Sequence, residues 1–380
     1  MSGIYLHIPF CKQACHYCDF HFSTSLAKKK PLLQAIISEL ILRKEELQEP
    51  IETIYFGGGT PSLLSIEELQ LILNTIVENY TVINNPEITL EANPDDLVQE
   101  NGTKKSIYEQ YLKLGINRLS IGIQSFFETD LKLMNRAHNA TEAEKCLEEA
   151  SSYFNNITVD LIYGIPNMTN QKWEQNIRKA LSFGVNHISS YALTVEPKTA
   201  LESFIKKGKI DAPKDAVAHD HFNILVQILE QNNFIHYELS NFGKPTYFSK
   251  HNTSYWLGKP YLGIGPSAHS YNGKQRSWNV ANNTKYIKAL QEKKLPSTYE
   301  TLSVNDRCNE YIMTGLRTIF GVSLHKVKSN FGNKIYHGIL QSAEKHLKND
   351  LLVIENEVLK TTKKGKFLCD GIAADLFIVD

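Results

Sequence analysis

The chain has 380 residues, 42% hydrophobic and 22% charged, with 41 basic against 41 acidic side chains. That is an ordinary globular composition, long enough for one large α/β domain with an appendage or for two to three average domains, and neither disordered nor fibrous. Zero formal net charge and the lack of a basic stripe speak against a nucleic-acid partner, and Lys28, Lys29 and Lys30 read as a solvated approach to a helix. The opening MSGIYLHIPFC has neither the basic nor the apolar region of a signal peptide, and no run reaches the ~18 apolar residues of a membrane helix, so a soluble cytoplasmic protein is expected.

Along the first 200 residues, short β-branched apolar runs alternate with amphipathic helices. Strands are expected at Ile4 to Ile8, Thr53 to Phe56, Ile88 to Glu91, Arg118 to Ile123, Ile157 to Ile162 and His187 to Leu193. Between them PLLQAIISELILRKEELQ repeats Leu32, Leu33, Ile36, Ile37, Leu40 and Leu47 at helical spacing, and SIEELQLILNTIVENY opens with Ser65 and Glu68 as a capping box. Six βα units predict a parallel sheet with right-handed crossovers; periodicity leaves open whether it closes, closes partly or stays flat. In such folds the chemistry gathers at the carboxyl ends of the strands, where this sequence carries GGGTP (57–61), EANPDD (91–96), GIQSF (122–126) and DLIYGIP (160–166).

Residues 201–225 read as helical, and 234–280 as an irregular stretch rich in aromatics, Gly and Asn. From about Ser303 the texture changes: Ser303 and Asp306 cap a helix with the apolar face Cys308, Tyr311, Ile312, Leu316 and Ile319. LLVIENEVLKTT then reads as a hairpin around Glu355 and Asn356, followed by a terminal helix. This part reads as winged-helix-like, without the basic face of a DNA reader.

Of six cysteines, Cys146, Cys308 and Cys369 are scattered and read as small buried hydrophobes. Cys11, Cys15 and Cys18 sit together in CKQACHYCDF, spaced C-x3-C-x2-C. In a reducing compartment such density means metal. Structural zinc needs a fourth ligand, for which His7, His16 and His21 are candidates; a cubane iron-sulfur cluster on three thiolates leaves one iron open to an exchangeable ligand.

With YLHIPF before the cysteines and GGGTP after the second strand, the spacing resembles the radical S-adenosylmethionine (SAM) superfamily. The resemblance implies a partial (β/α)6 barrel whose open iron in a 4Fe-4S cluster is chelated by SAM. YLHIPFCKQACHYCDF, YFGGGTPS, RLSIGIQSF, VDLIYGIP and KHNTSYW narrow it to the oxygen-independent coproporphyrinogen III oxidase-like family over nearly the whole chain. The domains it implies are a radical SAM core at 1–235, an aromatic and Gly-rich connecting region at 236–300 and a winged-helix-like domain at 301–380. Carried over by position, Cys11, Cys15 and Cys18 hold the cluster. Tyr5, Tyr17, Gly58, Gly59, Thr60, Glu91, Gln124, Arg136 and Asp160 contact SAM, in the oxidases partly a second SAM.

Two departures point away from the oxidases. The oxidases carry a further cysteine two residues after the third, where this chain has Phe20, and an N-terminal extension, which is not expected here because the sequence starts almost directly at the first strand. His251 to Trp256, HNTSYW, matches the H-N-x-x-Y-W motif of the haem-chaperone branch. The implied function is haem binding and delivery to an acceptor protein, membrane-bound acceptors included, with an electron donor for the cluster; coproporphyrinogen oxidation is the alternative. His251 is the expected haem ligand and His269 a weaker candidate. The structural reading of HNTSYW as a packed loop stays open, as do a homodimer and binding of a second SAM.

Overall fold

A computed structural model describes residues 2–98 and 106–379. All six expected strands are present: β1 (Ser2–Ile8), β2 (Ile51–Gly58), β3 (Val82–Ala92), β4 (Arg118–Gln124), β5 (Ile157–Tyr163) and β6 (His187–Ala192). They pair in parallel and in sequence order, as right-handed βα crossovers require. Strand alternation sorts the side chains. Ile4, Leu6, Ile54, Phe56, Leu119, Ile121, Val159 and Leu161 turn outward into the helical layer and are almost fully buried. The inward set is polar: Thr53, Tyr55, Glu91, Ser120, Asp160 and Ser189. Covered parallel sheets are normally apolar on both faces, so a polar inner face marks a lumen made to receive something polar. Its curvature is evident from the electrostatic coupling of Tyr55 on β2 to Asp160 on β5 and Tyr191 on β6, strands far apart in the sheet order. The arrangement is the partial barrel expected.

The helices follow local rules. Ser65 and Glu68 form the predicted capping box on Ile66–Asn79, and Ser303 with Asp306 does the same on Val304–Leu316. The segment 201–225, read as helical, is covered by two helices, Ala200–Lys206 and Asp215–Gln231.

The larger difference lies at 234–280, which adds strands to both edges of the sheet. Beyond β6 run β8 (Asn241–Gly243) and β7 (Ile235–Glu238). On the other side β9 (Tyr261–Ile264) pairs in parallel with β1, followed by β10 (His269–Tyr271), β11 (Gln275–Asn279) and β12 (Ser297–Thr301), for twelve strands in all. HNTSYW lies in the helix Lys250–Trp256 rather than in a loop.

Cys308, Ile312, Leu316, Ile339 and Leu359 belong to a second apolar core, built with a small sheet of β13 (Val322–Ser323), β14 (Leu352–Glu355) and β15 (Val358–Thr361). The β14–β15 turn falls on Asn356 and Glu357, both at positive φ, one residue beyond the expected pair. Ile319 lies past the helix end and is exposed. Cys146, Cys308 and Cys369 are buried free thiols, as expected. No helix of the described residues is long and apolar enough to cross a membrane.

Candidate functional site

The loop after β1 carries the three cysteines and is stapled in place by neighbours from other strand ends. His16 donates from Nδ1 to the Leu133 carbonyl at 2.8 Å, and its backbone N–H bonds to the Met134 carbonyl at 3.0 Å. Asn135, held at φ 57°, donates to the Ala14 carbonyl at 2.7 Å and accepts from Gln13 at 2.8 Å. Lys12 pairs with Asp95 at 2.8 Å and with Asp96. Cys11, Cys15 and Cys18 are free and half-buried, and all three line one cavity of about 420 Å³. Burial pushes the Cys11 thiol up and Cys18 to about 11, so ligation to a metal must displace their protons.

The opposite wall comes from the ends of β2 to β6. Gly58 has φ 106°, and a Cβ on Gly59 would sit 2.7 Å from the Phe10 carbonyl and 2.8 Å from that of Ile8. Glycine therefore lets the β2 turn press against the start of the cysteine loop. Thr60 accepts from Asn93 Nδ2 at 3.2 Å. Glu91 accepts from Tyr55 Oη at 2.8 Å and from the Gly58 N–H at 3.2 Å; burial nonetheless pushes its carboxyl up to about 7. Asp160 is also pushed up to about 7 by burial, with the Ser120 hydroxyl at 3.3 Å. Gln124 ends β4 at φ 64°, a strained conformation for a residue other than glycine.

Arg136 joins the two walls. Its Nη1 lies 3.3 Å from Cys15 Sγ and 3.4 Å from Tyr17 Oη, while Nη2 donates to Asn93 Oδ1 at 2.6 Å and to the Gly122 carbonyl at 2.9 Å. Its Nε is buried without a hydrogen-bond partner among the described residues. An unpaired cationic donor, two buried carboxylates without an ion-pair partner in contact and three free thiols around one cavity fit a thiolate-held cluster with a zwitterionic ligand such as SAM. His7, His16 and His21, the candidate fourth ligands for zinc, each have a ring nitrogen committed elsewhere: to the His21 carbonyl, the Leu133 carbonyl and Asn283 Oδ1.

Of the residues predicted for the site, all but Tyr5, His251 and His269 line this cavity. Tyr5 lies one layer deeper, stacked on Tyr55 at 6.0 Å. His251 lies in the floor of the lumen, 1% exposed, with Nδ1 2.7 Å from Thr53 Oγ1 and Nε2 2.6 Å from Tyr255 Oη. Burial lowers its pKa to about 3. In this conformation neither ring nitrogen is open to iron; the residue organises packing, as the structural reading of HNTSYW allowed.

Four contributors escaped sequence reasoning: Asn135, Asn93, Tyr55 and Tyr191. Asn93 stands in the quoted EANPDD, and Tyr191 at the end of β6, where inward strand-end residues belong to the rim. Asn135 carried no motif. Phe20 lies at the mouth of the cavity and is 67% exposed.

The profile of the Radical SAM superfamily matches residues 5–180. The chain is 34% identical over 379 residues to the heme chaperone HemW of Bacillus subtilis (strain 168), covering 97% of each chain. It is 32% identical over 382 residues to the heme chaperone HemW of Lactococcus lactis subsp. lactis (strain IL1403), covering 98% of each. Among solved structures it superposes on the coproporphyrinogen III oxidase HemN of Escherichia coli, described as a radical SAM enzyme, with a TM-score of 0.84. The match covers 99% of this chain and 90% of that one at 20% identity, a likeness of fold.

Proposed function

Because the chain belongs to the HemW family of radical SAM proteins, we propose that it is a haem chaperone, which takes up haem and passes it to an acceptor protein. The observation that carries this reading is the near end-to-end match to relatives named as haem chaperones, 97% of both chains for the B. subtilis protein. Phe20 supports it by standing where the oxidases have a further cysteine.

In this proposal Cys11, Cys15 and Cys18 hold a 4Fe-4S cluster, and SAM occupies the remainder of the cavity. Bound together, they would supply one-electron chemistry at a carbon-sulfur bond. Glu91 and Asp160 offer carboxylates to cationic or hydroxyl groups. Arg136 offers its unpaired Nε to a carboxylate, and Gly58, Gly59 and Thr60 expose main-chain groups at close range. Tyr17 and Gln124 complete the wall, while Tyr5 backs it through Tyr55. Residues 1–235 are taken as the radical SAM core, 236–300 as the connecting region that carries HNTSYW and adds edge strands to the sheet, and 301–380 as the winged-helix-like domain. The protein works in the cytoplasm with an electron donor for the cluster, and it meets its acceptor at the membrane or in solution.

The test is one anaerobically reconstituted preparation, assayed for cluster absorbance, haem binding and coproporphyrinogen conversion with SAM and reductant. Cluster and haem spectra without conversion are expected. Conversion to protoporphyrinogen would overturn the chaperone reading, and Cys15→Ser retaining the cluster spectrum would overturn the ligand assignment.

A further inference from the structure

We propose that the haem iron is ligated by His269, on the inner face of the sheet extension formed by β9, β10 and β11. The inference rests on the haem-carrier reading and adds where the cargo sits.

The chain has thirteen histidines. Seven are buried: His7, His138, His187, His221, His236, His251 and His346. His16 and His21 are half-buried with a ring nitrogen bonded. Four are exposed: His219, His269, His325 and His337. His219 packs edge-on against Phe367 at 4.9 Å, and His325 and His337 stand on helices of the C-terminal unit. Among the described residues, His269 is the exposed histidine beside the barrel mouth. It is electrostatically coupled to His7, whose Nε2 bonds to the His21 carbonyl next to the cysteine loop. Neither ring nitrogen of His269 makes a hydrogen bond among the described residues.

Strand register shows what surrounds it. His269 pairs with Trp278 and Tyr271 with Arg276, so these four share one face. Ser270 and Ser277 turn to the other face, where Ser270 Oγ accepts from Arg43 Nη2 at 3.2 Å. The imidazole lies 6.1 Å from the Trp278 indole with the planes 28° apart. Tyr271 is 6.4 Å from Tyr261, which meets Tyr255 edge-on at 4.5 Å. Three adjacent strands at about 4.8 Å spacing give an aromatic platform ~10 Å wide, matching the breadth of a porphyrin. One open imidazole at the edge of such a platform has the chemistry of an axial haem ligand, its nitrogen lone pair forming the bond to iron. The cations acting on Tyr271 are Arg276, already paired with Glu310, and Arg307, which offers charge to the propionates.

The same geometry gives His251 an indirect part. Its Nε2 is bonded to Tyr255 Oη, and Tyr255 packs on Tyr261, so the motif helix Lys250–Trp256 positions one end of the platform. Loss of His251 therefore disturbs the platform without removing the ligand.

The experiment titrates the full chain with ferric haem, read by Soret absorbance and low-temperature electron paramagnetic resonance, for wild type, His269→Ala and His251→Ala. His269 is exposed, so its alanine variant should fold, with circular dichroism as the check. His269→Ala is expected to lose the imidazole-ligated signature and to weaken binding by about tenfold or more. Free imidazole should restore the signature. His251→Ala should bind more weakly and keep it. If His269→Ala keeps the wild-type spectra, the assignment is overturned while the carrier reading stands. The same follows if the signature disappears in His251→Ala alone. A wild-type chain with no haem spectrum overturns both.

Discussion

Two buried carboxylate sites in this molecule have opposite designs. Glu39, at 0% exposure, accepts from Arg43 Nη1 at 3.0 Å, the Gly265 N–H at 2.9 Å, Asn279 Nδ2 at 2.7 Å and Tyr286 Oη at 2.5 Å. Its charge is cancelled by Arg43, and its lone pairs are filled from three other chain segments, which binds the helix Lys29–Leu42 to the β9–β11 extension. Glu91 accepts two hydrogen bonds from neutral donors, and the charge nearby is the like charge of Asp160. A complete set of partners is the mark of architecture. An incomplete set around a cavity, in a fold that could have supplied an arginine, is the mark of a site awaiting a ligand.

The largest expected effect comes from breaking the complete set. Glu39→Ala leaves the Gly265 N–H, Asn279 and Tyr286 donors buried without their partner and Arg43 with only the partly exposed Glu46 as an ion-pair partner, and should cost about 3–5 kcal/mol, seen as a lowered midpoint in chemical denaturation. A loss below about 1 kcal/mol would mean that the network is solvated and the comparison unsound. The signs should also differ between the sites, since removal of charge from the incomplete one should stabilise the chain.

Glu91→Gln should raise the stability of the cofactor-free chain at pH 8 by about 1 kcal/mol, while weakening SAM binding. The carboxyl is raised to about 7 by burial, so the folded state holds its proton more tightly than the unfolded state does. Its contribution is therefore full below about pH 4.5 and is lost as pH rises through about 7. Buried His251, His236 and His7, lowered to about 3, 3 and 4 by burial, act in the opposite sense and lose stability as pH falls below 6.5. The measurement is accordingly the difference in midpoint between wild type and Glu91→Gln across pH 4–8. That difference should grow with pH and level off above about 7; a flat difference would show that Glu91 ionises normally.

The same contrast explains what could be read from sequence. The six core strands were legible because β-branched alternation is a local signal, and the rim residues because each follows a strand whose carboxyl end is the working end. Asn135 was invisible because its task, holding Ala14 from 121 residues away, leaves no local pattern. The strands β7 to β11 were missed because they are three to five residues long, too short for alternation to show, and because β8 and β9 join the sheet through β6 and β1, strands distant in sequence. His251 shows a different gap. A motif identifies which residues travel together and is silent on whether a ring nitrogen is free. Thr53 and Tyr255 decide that, and Thr53 stands 198 residues away.

The smallest effect is expected at Phe20, the position that most sharply separates this chain from the oxidases in sequence. Its ring is 67% exposed at the cavity mouth and belongs to neither apolar core, so Phe20→Cys should change stability by less than about 0.5 kcal/mol. The loop that carries Cys11, Cys15 and Cys18 is held by Asn135, His16 and Arg136 rather than by Phe20, so the spectrum of the proposed cluster should also be unchanged. If role followed this one residue, the variant would convert coproporphyrinogen. The aromatic platform of Tyr255, Tyr261, Tyr271 and Trp278 is untouched by the change, so haem binding at wild-type affinity without conversion is expected. Conversion by Phe20→Cys would place the divide between chaperone and oxidase in the cysteine loop itself.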